Sequence, residues 1–137
     1  MNRRDFQVLS LMRQREARAL LLAHHPGGAY YLIGHAVEAA LKACIAKLTK
    51  RHDFPDKGFA HQVFTHDLEA LMKHARLQPA LDAHGVGSPI ELNWRIIKDW
   101  DVDSRYDITI TEPLARDLYS ACVRQKTGVL PWIRRRW

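Results

Sequence analysis

The chain's 137 residues, 47% of them hydrophobic and 26% charged, suit one globular domain over 1–137, large enough to fold without disulfides or a structural metal. Lys and Arg total 21 against 15 Asp and Glu, a formal charge of +6 that favours polyanionic partners and says nothing about fold. The opening MNRRDF lacks the apolar run of a secretory signal, and two cysteines without CxxC spacing read as buried thiols of a reducing cytosol, so a cytoplasmic location is expected.

Five main helices and no strands are predicted. The first spans about Arg4 to His24, with Phe6, Leu9, Met12, Ala17, Leu20 and Leu21 as its main apolar positions. Arg3, Arg4, Arg13, Arg15 and Arg18 load it, and Arg134, Arg135 and Arg136 close the chain. These two sets read either as a phosphate-contacting surface or as solvated helix faces and a tail. Pro26-Gly27-Gly28 breaks the first helix, and a Pro at the start of the next makes a tight helical hairpin.

The second helix, continuing to about Arg51, is the most informative stretch. Tyr30, Ile33, Val37, Leu41, Cys44 and Leu48 keep helical spacing, while Gly34, Ala36, Ala39, Ala40, Ala43 and Ala46 occupy most of the remaining surface. Between Ala29 and Ile45 only Glu38 and Lys42 are charged, four residues apart with the acid first, the orientation that pairs them on one face. Such a helix is central to a bundle or shared with a second subunit. Its acid–base pair argues against a membrane span.

HDFPDKGFAHQVFT reads as a loop of the length that tends to be functional or mobile. The third helix begins at THDLEALMKHA, with Thr65 as N-cap and Asp67 and Glu69 in its first turn, and stops near Arg76. A short helical turn follows at Pro79 to His84, closed by Gly85 and Gly87. Ser88-Pro89-Ile90-Glu91 reads as a capping box that opens the fourth helix, which runs to about Trp100. DVDSRYDITI is expected to cross the bundle in extended or irregular form. Thr111-Glu112-Pro113 opens the fifth helix, ending at Gly128, with Leu114, Leu118, Ala121 and Cys122 as its buried stripe; Trp132 and Ile133 then pack back on the bundle.

Chemistry-bearing patterns are few. His66, beside a helix N-terminus that disfavours an imidazolium, serves either as a surface or capping group or as a hydrogen-bond donor to a ligand. The histidines form no HxxxH or HExxH pattern, His61 and His66 have poor ligand spacing, and Gly27-Gly28 lacks the lysine of a phosphate loop, so neither metal nor cofactor is expected. Arg105 presents a planar fork for carboxylate or phosphate, and Tyr106 either stacks on a base or fills the core. One reading pairs Arg105 with Glu38 to fix helix register; the other lines a nucleotide-receiving cleft with Glu38, Lys42, Arg105 and Tyr106.

The series GAYYLIGHAVEAALKACIAK, FPDKG, THDLEALMKHA and NWRIIKDWDVDSRYD resembles the HEPN domain (higher eukaryotes and prokaryotes nucleotide-binding) over nearly the whole chain. The resemblance implies an all-α antiparallel bundle of four to five helices, usually a homodimer with its functional cleft along the interface. It also implies two branches: a metal-independent ribonuclease, often a toxin partnered by a small nucleotidyltransferase antitoxin, and a non-catalytic branch that binds nucleotide or acts as a scaffold.

The ribonuclease branch carries an Arg followed four to six positions later by a His, pairing a proton carrier with a phosphate-holding guanidinium. Arg105 occupies the matching position, but Tyr106 to Glu112 contain no His, and SRYD looks like the subgroup with an Arg-Tyr pair there. Arg18 with His24 matches the spacing formally, in the wrong helix and with Ala19 where the family prefers a polar residue. The expectation is a dimeric nucleotide- or RNA-binding module without efficient catalysis, dimerising through the second helix and the Trp94 to Tyr106 region. Its site residues are Lys42, Arg105, Tyr106, Glu38 and His66. A ribonuclease toxin and a structural dimeric adaptor are the alternatives.

Overall fold

The computed structural model describes residues 1–49 and 63–137, over which the chain forms seven α-helices, one 3-10 turn and no strand. The fold class is all-α, as expected. The end placed at Arg51 for the second helix and the FPDKG loop with His52 and His61 lie outside these residues.

Helix α1 (Arg3–Leu22) starts with a capping box that the sequence reading missed: Asn2 accepts from the Asp5 amide, and Asp5 accepts from the Asn2 amide. It buries Phe6, Ser10 and Ala17, and the Ser10 hydroxyl donates to the Ala36 carbonyl at 2.7 Å. That face leaves Met12 exposed, against expectation. The chain reverses over Ala23 to His25, where the His25 amide bonds the Leu20 carbonyl and His24 takes φ 63°. This is a Schellman ending without its usual glycine.

Helix α2 (Pro26–Leu48) packs against α1 and, further on, against three other helices and the 3-10 turn. Thirteen of its 23 residues are buried, including Glu38 and Lys42. It is therefore the centre of the bundle within one chain. Leu48, expected on the apolar stripe, is exposed at the helix end.

Helix α3 (Leu68–His74) is capped by Asp67, whose carboxylate accepts from the Glu69 and Ala70 amides; Thr65, the expected cap, accepts from the Asp67 amide instead. Helix α4 (Gln78–Asp82) is the short turn foreseen before Gly85. At α5 (Pro89–Ile97) the expected capping box does not close: Ser88 donates to the Gly85 carbonyl, and Glu91 accepts from the Gly87 amide. The helix stops at Ile97, short of Trp100. The following segment is extended or irregular only at its ends, Asp101 and Asp107 to Ile110; between them it forms a 3-10 turn (Val102–Tyr106), begun by Asp101 accepting from the Asp103 amide.

Helix α6 (Glu112–Val123), capped by Thr111, buries Leu118, Ala121 and Cys122 as anticipated, but it ends before Gly128 and turns Leu114 outward. Helix α7 (Val129–Arg134) returns Trp132 and Ile133 to the core. Among the described residues no helix is long and apolar enough to cross a membrane. Trp100 is almost wholly buried, and its indole lies flat on Gly34: a Cβ added there would sit 2.0 Å from the ring. Only glycine permits this approach, which fixes the start of the 3-10 turn against α2.

Candidate functional site

Tyr31, His35, Glu38 and Lys42 follow one another at helical spacing along one face of α2. At the centre is Glu38, whose Oε1 accepts from Lys42 Nζ and lies against His66 Nδ1, each at 2.7 Å. His66 reaches it from just ahead of α3, with its side chain about half exposed. The short approach to a carboxylate oxygen puts a hydrogen on Nδ1.

His35 Nδ1 lies 2.8 Å from the other carboxylate oxygen, but too obliquely for a good hydrogen bond, and that Oε2 is buried without a partner. Burial alone would raise the Glu38 pKa; the His35 contact, Lys42 and His66 outweigh it and hold the carboxyl at about 2. Lys42 is thus not the exposed cation of a weak surface pair. It is an interior charge that depends on Glu38.

The His35 ring meets Tyr31 edge-on at 4.5 Å and Trp100 at 5.0 Å between centroids. Its Nε2 and the Trp100 Nε1 are buried and unbonded. Beyond Tyr31 stands Arg105, on the exposed side of the 3-10 turn, with its guanidinium 4.7 Å from the Tyr106 ring centroid. Hydrogen bonding to Tyr31 is the main influence raising the Arg105 pKa, with Tyr106 adding to it.

Arg105 does not pair with Glu38, as one reading required. Lys42 and His66 hold Oε1, and Tyr31 and His35 stand between arginine and acid. The five expected site residues therefore form two groups: Glu38, Lys42 and His66 in direct contact, and Arg105 with Tyr106 at the surface. Tyr31 and His35 bridge them. The sequence reading names neither as a site residue, although they precede Glu38 by seven and three residues, the spacing of one helix face.

Two openings adjoin the cluster. One, of about 430 Å³, lies beside His66 and is lined by the carboxylates of Asp67, Glu69, Asp99 and Asp101, with Lys98 as its cation. That balance makes it a poor phosphate seat and a good acceptor of hydroxyl or amine donors. The other, of about 150 Å³, lies between α1 and α2 and reaches Arg13, His35, Glu38 and Lys42. Arg13 itself pairs with Glu16.

The formal match at Arg18 and His24 does not assemble: His24 Nδ1 lies 2.7 Å from Glu112, while Arg18 acts on Tyr119. Cys44 and Cys122 are buried and free; burial pushes the Cys44 thiol to about 11 and raises Cys122 further, so neither is a ready nucleophile. Among the described residues no three His, Cys, Asp or Glu side chains converge as a metal site. Comparison of the chain with protein-family models, curated proteins and solved structures finds no match.

Proposed function

We propose that the protein is a HEPN-type module that binds a nucleotide or RNA without efficient catalysis, working as a homodimer; the small nucleotidyltransferase partner implied by the resemblance belongs to the same proposal. The observation that carries it is the pair at the surface. Arg105 has no carboxylate partner within ion-pair distance among the described residues, and Tyr106 beside it is 72% exposed. A guanidinium free to hold phosphate oxygens, next to an open aromatic face, suits a phosphate and its base.

In this reading the Glu38 cluster acts from behind. Lys42 is committed to Glu38 and does not reach the ligand, while Tyr31 steadies the arginine. The acidic groove beside His66 would receive ribose hydroxyls or base amines rather than phosphate.

The test is thermal unfolding with ATP, GTP and short RNA. A binder gains stability that grows with ligand, about 2.7 kcal/mol at a hundredfold excess over Kd, and Arg105→Ala removes the gain. Absence of any shift at millimolar ligand would leave the structural adaptor. A second reading rests on His66. Oriented by a buried carboxylate through Nδ1, it has the arrangement in which an imidazole moves protons, as a metal-independent ribonuclease would need. RNA degradation in chelator that is lost in both His66→Ala and Arg105→Ala would establish that reading instead.

A further inference from the structure

The far end of α2 carries a second charged feature that the polar cluster does not use. There the start of α1, the end of α2 and the end of α7 converge: Arg3 donates to the main-chain carbonyl of Trp137, and Lys47 donates to that of Arg136 at 3.2 Å. Arg4 follows Arg3 in the same turn of α1, and Arg134 and Arg135 precede Arg136, so six cations meet at one end of the bundle. Among the described residues none of the six pairs with an Asp or Glu side chain. Asp5, the acid nearest in sequence to Arg3 and Arg4, is occupied by the Asn2 amide.

Two of these arginines are braced on aromatic rings. Arg136 lies 4.0 Å over Trp132, and Arg134 lies 5.6 Å over Trp137. Bracing fixes the direction of each guanidinium: Arg134 also donates to Gln14, and Arg136 donates one N–H to the Trp132 carbonyl at 2.9 Å, which leaves its other N–H groups for an outside acceptor. Burial first, and then the neighbouring Arg135, lower the pKa of Arg136. Other α1 arginines do not join: Arg13 is paired with Glu16, and Arg18 lies beside Tyr119.

We infer that this end is a docking surface for the phosphate backbone of RNA, with Arg3, Lys47, Arg135 and Arg136 as its principal contacts. Five of the six cations are arginines, whose fork fits phosphodiester oxygens. An anionic membrane fits less well, because surface-lying segments also insert apolar side chains. Here Trp132 is buried beneath Arg136, and among the described residues the exposed large apolar side chains nearest these cations are only Met1, Val8 and Leu48, which do not form a continuous apolar face. The surface is separate from Arg105: Tyr31 and Lys47 lie sixteen residues apart on one helix, roughly 24 Å. It goes beyond the function proposed above and stands whether or not Arg105 binds a nucleotide.

The experiment titrates the full chain with labelled single-stranded oligouridylate over a range of salt, beside vesicles of phosphatidylserine. Reversing two exposed cations, with Lys47→Glu and Arg135→Glu together, should weaken RNA binding about tenfold or more and flatten the slope of log K against log salt by about 1.4. Lys47→Arg with Arg135→Lys should keep both affinity and slope. Unchanged melting of the charge-reversed protein would show that folding is not the cause. An unaltered slope in that variant, vesicle binding without RNA binding, or no RNA binding by the parent protein would each overturn the inference. Loss of RNA binding in Arg105→Ala alone would also overturn it in favour of the other site, whereas mononucleotide thermal shifts judge the Arg105 reading independently.

Discussion

Lys42 and Lys47 lie five residues apart on α2 and do opposite things. Lys42 is buried and bonded to Glu38 at 2.7 Å, while Lys47 is exposed, rests on a main-chain carbonyl and has arginines for neighbours. The first belongs to a neutralised interior cluster whose charges need one another to remain out of water. The second belongs to a surface of cations that have no Asp or Glu partner among the described residues. Residue type alone distinguishes nothing here; desolvation and partners do.

The contrast can be broken most severely at Glu38. Glu38→Ala leaves Lys42 buried without its anion and should cost about 4 kcal/mol in chemical denaturation. Replacing both, as Glu38→Leu with Lys42→Met, should cost less than that single change, since no charge is then left unpaired. If the two variants are equally unstable, packing rather than charge holds the cluster.

Acid titration gives the next largest effect. The Glu38 carboxyl titrates near 4.5 when unfolded and near 2 when folded. Between those values the unfolded chain takes up the proton first, so the carboxylate's stabilisation is present above about pH 4.5 and lost as pH falls to about 2. The loss should amount to about 3 kcal/mol and be absent from a Glu38→Gln variant. Lys47→Ala marks the small end of the scale: its stability should stay within about 0.5 kcal/mol of the parent by the same denaturation, because the side chain is exposed and has no carboxylate partner.

Much of this was legible in the sequence, and the misses share a cause. The apolar spacing of α2 and the Pro26 break are strong local signals, and the helical hairpin they predict is present. The Glu38–Lys42 offset likewise announced a pair. Its burial, and the recruitment of His66 from 28 residues away, depend on packing between helices that one helix's pattern cannot encode. The caps differ from expectation where a nearer side chain takes the helix amides, as Asp67 does ahead of α3 while Thr65 takes the amide of Asp67, or where the polar side chain bonds a preceding carbonyl, as Ser88 does to Gly85. Charge complementarity suggests the reading that pairs Arg105 with Glu38, whereas the intervening Tyr31 and His35 appear only once α2 is viewed down one face.

The indole laid across position 34 has a mechanical consequence. With a hydrogen atom as its only spacer, the turn bearing Arg105 is seated directly on the backbone of the central helix. A methyl group there would lift the ring, and with it the platform that aims the guanidinium outward. The direction of the Arg105 guanidinium thus rests on the smallest side chain in the protein.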